Sequence, residues 1–308
     1  MTTIALTGAT GFVGRAVLTE LLDAGLRVRA LVRPGRDLPV HSALVPVAGS
    51  LEDGASLDAL VSGCQAVIHV AGAITGRDYS ELARVNVAGT RRLIDAMIRH
   101  CPDARLVHVS SLAAREPCLS DYAASKRAGE DVVTLSGLDW IILRPPAVYG
   151  PDDPALAPVW KWLARGWLLR PGVRQARFSL LHVEDLASAL KSAAVSDEAP
   201  ATLTCLHDGR PGGYDWPSLV DIARRKRGAP VRVVPIPRRL LALVAAGGLM
   251  LARLGLVKTP VLVPGKVREL AHPDWVCDNA TLPGCPDWEP RKRLEHCLGD
   301  LPGWEGTR

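Results

Sequence analysis

Ring side chains are scarce in this chain. Its 308 residues include only 2 phenylalanines and 4 tyrosines, so aliphatic side chains must supply most of the core. The 8 tryptophans all fall after residue 139. Charge of one sign is also lacking in bulk, because the net charge is only +5. The one dense basic stretch, Arg224-Arg225-Lys226-Arg227, interrupts a helical pattern and reads as a solvated face, so no nucleic-acid partner is expected. The 7 cysteines form no C-x-x-C pair. That pattern excludes a disulfide framework and fits free thiols in a reducing, cytoplasmic compartment. Cys277, Cys285 and Cys297, with His272 and His296, match no zinc spacing, so no metal is expected. No basic n-region and apolar h-region open the chain, so no signal peptide is expected. The apolar run Leu240–Ala252 spans 13 residues, short of the roughly 20 that cross a bilayer.

What is present is ordinary globular composition, 48% hydrophobic and 22% charged. Short apolar strands at Thr3–Thr7, Arg27–Val32, Ala43–Val47, Ala66–Val70, Leu106–Val109 and Trp140–Leu143 are mostly separated by helical patterns, notably Glu81–His100 and Tyr122–Ser136. Strands of this kind alternating with helices predict an α/β fold, with a doubly wound parallel sheet covered on both faces. The alternation breaks after Tyr149-Gly150-Pro151. A nucleotide-binding domain over 1–150 is therefore expected, with a return contribution from about 178–207. Residues 151–308 then form mostly a smaller C-terminal substrate lobe.

Gly8, Gly11 and Gly14 follow the first strand and open a helix whose apolar side carries Val13, Val17, Leu18, Leu21 and Leu22. Glycine weakens a helix, so three of them here imply close approach of something else. In a dinucleotide site the first permits the turn, the second admits a pyrophosphate and the third lets the helix pack on the sheet. The helix N-terminus then offers free N–H groups and the positive end of its dipole.

Thr7-Gly-Ala-Thr-Gly-Phe-Val-Gly14 resembles the extended branch of the short-chain dehydrogenase/reductase superfamily. So do Asn86-Val-Ala-Gly-Thr90, Ser110-Ser111, Tyr122-Ala-Ala-Ser-Lys126, Arg144-Pro-Pro-Ala-Val-Tyr-Gly-Pro151 and His182-Val-Glu-Asp185. These stretches span residues 1 to about 190 in the family's order. The resemblance implies a Rossmann-type fold and an NAD(P)-dependent enzyme. Tyr122 would exchange a proton with the substrate, Lys126 would hold the nicotinamide ribose and favour the phenolate, and Ser111 would bind the substrate oxygen, with Ser110 the second candidate. Asn86 would shape the active site. The cofactor would lie along Gly8, Thr10, Gly11, Phe12, Val13, Gly14, Ala71, Tyr122, Lys126, Pro145 and Val148. Arg33 and Arg36 follow the second strand, where an NADP site uses arginine for the 2′-phosphate. NADP is the expected cofactor, with nearby Asp37 keeping NAD open. Ser50 departs from the Asp common near the adenine.

Members acting on sugar nucleotides carry an Asn where this chain has Ala147, and the Arg-Pro-Pro version resembles the 3β-hydroxysteroid dehydrogenase and dihydroflavonol reductase side. A bulky, rather apolar small-molecule substrate is therefore expected, steroid-like or flavonoid-like. The alternatives are a sugar-nucleotide epimerase or dehydratase, gripping phosphate with Arg165, Arg170, Arg174 or Arg177, and a non-catalytic nucleotide-binding subunit or redox sensor. The Trp-rich segment Val159–Leu169 reads either as a cover for an apolar ligand or as the lobe's own core. Leu240–Ala252 reads first as a buried core helix. With its basic flanks, the stretch 240–257 also reads as a peripheral membrane contact. By resemblance, a homodimer would form through Glu81–His100 and Tyr122–Ser136.

Overall fold

The computed structural model describes residues 2–196, 201–257, 262–278, 282 and 284–305. Six strands follow in chain order: β1 (Thr3–Thr7), β2 (Arg27–Val32), β3 (Leu44–Ala48), β4 (Ala66–His69), β5 (Arg105–Val109) and β6 (Trp140–Arg144). With Thr202–Cys205 they form one seven-stranded sheet in the order β3-β2-β1-β4-β5-β6-(202–205), every pairing parallel. The expected Rossmann-type sheet is present.

Pleating divides the side chains of each strand between two cores. Ile4 and Leu6 face one cluster and Ala5 the other. On the first face lie α1 (Phe12–Asp23) and, much later in the chain, Val183–Val195, which pack on each other. Val17, Leu21, Leu186 and Leu190 are fully buried there. On the second face lie α2 (Gly54–Val61), α4 (Thr90–His100) and α5 (Asp121–Thr134), with the short α3 (Tyr79–Ala83) ahead of α4. Full burial of each such Leu contributes about 1.5–3 kcal/mol. The chain runs outward from β1 through β2 and β3, then crosses to β4 on the other side of β1. The carboxyl ends of β1 and β4 are thus the switch point where such sheets bind ligands.

The helix expected over Glu81–His100 is not continuous. A π-helical turn, Arg84–Gly89, separates α3 from α4. The apolar period runs through this turn, so periodicity alone does not reveal it; π-turns are frequent at functional sites.

Beyond residue 150 come α6 (Ala157–Ala164), α7 (Val183–Val195), α8 (Trp216–Arg227), α9 (Arg238–Arg253) and α10 (Pro264–Ala271). A third core joins Trp160, Leu163, Tyr214, Leu219, Leu298 and Trp304. Trp160 belongs to this interior, whereas Trp162 is exposed. The first reading of Leu240–Ala252 as a buried core helix is overturned. Of its residues only Ala245 and Ala252 are buried, while Leu240, Leu243, Val244, Met250 and Leu251 are exposed.

Candidate active site

The glycine turn has little room for any other residue. Gly8 adopts φ +78°, and a Cβ on it would lie 2.7 Å from the Ala71 nitrogen, so the loops after β1 and β4 touch there. A Cβ on Gly14 would lie 1.9 Å from the Gly8 carbonyl oxygen. Only hydrogen fits there. Gly11 is the N-cap of α1; it carries no side-chain cap and no acidic residue follows in the first turn. The N–H groups of that turn therefore face outward with the dipole's positive end, suited to a phosphate. Thr10 accepts from Arg15 through its carbonyl at 3.1 Å, and Thr7 Oγ1 accepts from the Ala71 N–H at 3.2 Å. Phe12 lies against Gly150, where a Cβ would come within 3.3 Å of its ring. Val13 is half-buried behind the turn. The residues present fit a dinucleotide.

Arg33 and Arg36 bracket a tight turn at the carboxyl end of β2, closed by the Arg36 N–H on the Arg33 carbonyl at 3.2 Å. Both are exposed, and neither has an ion-pair partner among the described residues. On the other side of the crevice, the Pro145 carbonyl accepts from the Leu112 N–H at 2.8 Å. Val148 pairs in register with Leu181 in the strand pair Ala147–Tyr149 and Leu180–His182. Ala147 is exposed at the start of that strand.

α5 begins where Ser120 caps it, its hydroxyl accepting from the Ala123 N–H at 2.9 Å. Tyr122 stands in the first turn and Lys126 one turn on, the spacing that puts both on one face. Lys126 Nζ donates to the Val109 carbonyl at 2.8 Å, at the end of β5. Burial lowers its pKa to about 8, with Glu130 pulling upward. Ser111 caps the short turn Leu112–Arg115 and its hydroxyl engages Tyr122. Tyr122 itself is held above the ordinary tyrosine value by burial, while Ser111 and Lys266 pull it down and Glu269 pushes it up. The family resemblance implies a phenol lowered by the neighbouring ammonium; among protein groups, burial outweighs every such effect.

Asn86 sits in the π-helical turn and is buried. Its amide donates to the Ala73 carbonyl and to Ser125 Oγ, both at 2.9 Å, and its Oδ1 accepts from the Ala73 N–H at 2.8 Å. Ser125 in turn donates to the Tyr122 carbonyl at 2.8 Å. One side chain thus ties the loop after β4 to the helix that carries Tyr122 and Lys126.

Beyond the residues that the sequence singles out, Glu130 and α10 support the site. Ser110 donates to Glu130, which takes Arg144 with both carboxylate oxygens. Glu130 lies one turn beyond Lys126, so helical spacing alone could have found it. α10 is different. Gly265 packs on Ser120, the Ser120 hydroxyl also donates to Glu269, and Arg268 Nε donates to the Leu119 carbonyl at 2.7 Å. Lys266 pairs with Glu269 at 2.9 Å. The contacts to Leu119 and Ser120 join residues about 150 apart in sequence, and nothing local announces them. Two family-motif residues, His182 and Asp185, prove to be anchors. His182 caps α7, and Asp185 accepts from the Arg291 and Lys292 N–H groups.

Of the arginines considered for gripping phosphate, Arg177 pairs with Asp274 at 2.8 Å and Arg165 lies over Trp162. Arg174 is exposed and Arg170 half-buried.

A glycine-lined crevice at the switch point, beside a Tyr, a Lys and a Ser on α5 and the end of β5, defines a nucleotide-dependent oxidoreductase. The chain belongs to the NAD dependent epimerase/dehydratase family, matched over residues 4–202, and is an enzyme of the extended short-chain dehydrogenase/reductase type. It is 40% identical over 285 residues to a ceramide reductase of Caulobacter vibrioides, covering 91% of this chain and 87% of that protein. It is 32% identical to a 4-hydroxy-2-methyl-3-oxo-4-farnesyl-3,4-dihydroquinoline-1-oxide ketoreductase of Stigmatella aurantiaca, covering 50% of this chain and 52% of that one. In fold it is similar to MoeE5 in complex with UDP-glucose and NAD, with a TM-score of 0.74 at 20% identity, covering 99% of this chain and 98% of that one.

Proposed function

We propose that this protein is a ketoreductase, using NADP(H) in preference to NAD(H), that acts on a keto group of a bulky, ceramide-like apolar molecule. The observation that carries this reading is the Ser111–Tyr122–Lys126 arrangement, in a chain that aligns over nine-tenths of its length with a relative named ceramide reductase. Bound at the glycine turn, the nicotinamide cofactor supplies the hydride.

The chain's own residues do the rest. The Ser111 hydroxyl donates to the substrate carbonyl oxygen and positions it beside Tyr122. The Tyr122 phenol, kept protonated by burial, donates its proton to that oxygen as negative charge develops there. Lys126 holds the cofactor ribose and, as an ammonium, makes the Tyr122 proton easier to give up. With a pKa of about 8, that ammonium is present at neutral pH and is lost as pH rises through 8. Asn86 keeps the loop after β4 in register with α5. Arg33 and Arg36 take the 2′-phosphate through charge-assisted hydrogen bonds.

The substrate side is supported by Ala147, which offers no side-chain hydrogen bond to a diphosphate, and by the prior engagement of Arg165 and Arg177. Residues 1–150, with 178–207, would hold the cofactor, and 151–308 mostly the substrate. The exposed Ile98 and Leu135, beside Val87 of the π-helical turn, Arg91 of α4 and Val132 of α5, suit self-association as a homodimer. The free thiols favour a cytoplasmic setting.

The experiment is a substrate screen with NADPH and NADH, read by nicotinamide absorbance over ceramides oxidised to the ketone, steroid ketones and flavonoid ketones, and by chromatography of the products over UDP-sugars, whose epimerisation consumes no net nicotinamide. Turnover of an apolar ketone supports the reading. Turnover of UDP-sugars alone replaces it with the epimerase reading.

A further inference from the structure

The amphipathic order of α9 is inverted. Leu240, Leu243, Val244, Gly247, Met250, Leu251 and Leu254 recur at helical spacing and form one stripe along it. The six side chains of that stripe are exposed, Leu243 at 71% and Met250 at 64%. The opposite side, Leu241, Ala245, Gly248 and Ala252, is buried or half-buried, and α9 packs against α10. Apart from Leu241 and the half-buried Leu249, the residues turned to the protein are small, whereas large apolar ones face outward. Leu256 and Val257 continue the exposed apolar surface past the helix end, as do Val233 and Val234 ahead of it.

Charge follows the same plan. Residues 232–257 contain four arginines and no acidic residue. Arg238 and Arg239 occupy the first turn of α9, where the dipole disfavours cations, so they are not there to stabilise the helix. Both are exposed and neither has an ion-pair partner among the described residues. Arg239 borders the apolar stripe. The 16-residue helix is about 24 Å long at ~1.5 Å per residue, and no described helix is long and apolar enough to cross a membrane.

We propose that α9 docks this protein on an anionic lipid bilayer, lying in the interface with its apolar stripe among the acyl chains and Arg238 and Arg239 at the headgroups. A short helix with an apolar face and flanking arginines is built for that position. Docking also has a geometric consequence for catalysis. α9 rests on α10, and α10 contacts Ser120 and lies beside Tyr122 through Lys266 and Glu269. The bilayer surface is thereby set next to the mouth of the active site, where a substrate resident in the membrane would enter. That last step rests on the ketoreductase reading; the docking itself does not.

The full chain is tested by flotation with phosphatidylcholine vesicles, with and without phosphatidylglycerol. Binding is expected to the phosphatidylglycerol vesicles and to weaken with salt. Arg238→Gln with Arg239→Gln should weaken it about thirtyfold, on the scale of basic residues near an anionic surface. Leu243→Glu with Met250→Glu should abolish it. NADPH affinity, measured separately by fluorescence, should be unchanged in both variants, because no residue of the cofactor crevice is altered. Failure of the intact chain to float with either vesicle overturns the proposal. So does a dimer in solution that Leu243→Glu with Met250→Glu converts to monomer, which makes the stripe an interface between copies. Vesicle binding needs no substrate, so a failed substrate screen leaves this result standing.

Discussion

Ser110 and Ser111 are adjacent in the chain, yet their hydroxyls serve different partners: Ser110 donates to Glu130 in the interior, and Ser111 engages the Tyr122 phenol. Strand geometry explains the split, since successive side chains leave an extended backbone in opposite directions. Ser110 thereby joins the pair that Glu130 forms with Arg144 beneath the site, and Ser111 faces the crevice.

The two serines should therefore fail differently. Ser111→Ala is expected to lower kcat about a hundredfold or more, the scale of losing one donor to a developing oxyanion, and to cost about 1 kcal/mol of stability through the lost cap on Leu112–Arg115. Ser110→Ala should leave kcat within a few-fold and, because its partner Glu130 is a buried carboxylate, cost about 1.5–3 kcal/mol of stability. Steady-state kinetics and urea unfolding on both variants distinguish them. Equal loss of kcat in the two would contradict the assignment.

Arg33 and Arg36 should set cofactor choice. Hydrogen bonds to a charged group are worth about 1.5–3 kcal/mol, so Arg33→Ala should weaken NADPH binding roughly 10- to 100-fold. NADH binding should hardly change. Titration of both cofactors against wild type and variant reads this directly. A wild-type chain that binds the two equally well, or an Arg33→Ala variant that keeps its NADPH affinity, would assign the arginines no such role.

Acid should destabilise the fold through buried histidines. His69 donates and accepts between Thr7 and Thr90, and burial lowers its pKa to about 3. His182 is lowered to about 4 by burial. His108, beside His69 and Lys126, is driven well down by burial and finds no hydrogen-bond partner for either ring nitrogen among the described residues. The folded chain therefore binds fewer protons than the unfolded one below pH 6.5. Stability from these groups is complete above that value and is lost as pH falls toward the folded-state values. By about pH 5 each such histidine costs about 2 kcal/mol. His108→Leu should be nearly neutral at pH 7 and should flatten the loss between pH 7 and 5 in urea titrations. An unchanged pH dependence would mean that His108 does not contribute to it.

The legible part of this molecule is the part whose chemistry is local. Gly8, Gly11 and Gly14 must be close in sequence because one turn needs all three, and Tyr122 and Lys126 must be four apart because one helix face carries both. The apolar strands announce the sheet because both its faces are covered. Long-range relationships were not legible. Glu269 reaches Ser120 across 149 positions, and no spacing encodes that. Leu240–Ala252 was legible as a helix but not as an exposed one. An apolar run reads the same whether its large residues face in or out, and only the placement of Ala245 and Ala252 against the protein decides.

The account turns on Tyr122 as the proton donor, and the direct measurement is single-turnover reduction of an apolar ketone by Tyr122→Phe with NADPH bound. Removing one hydroxyl leaves the crevice and its arginines intact, so NADPH affinity should stay within about twofold. The chemical step should slow by 10²-fold or more, within the ~10²–10⁴ that a positioned acid contributes. A Tyr122→Phe variant that binds NADPH and reduces the ketone at close to the wild-type rate would contradict the mechanism.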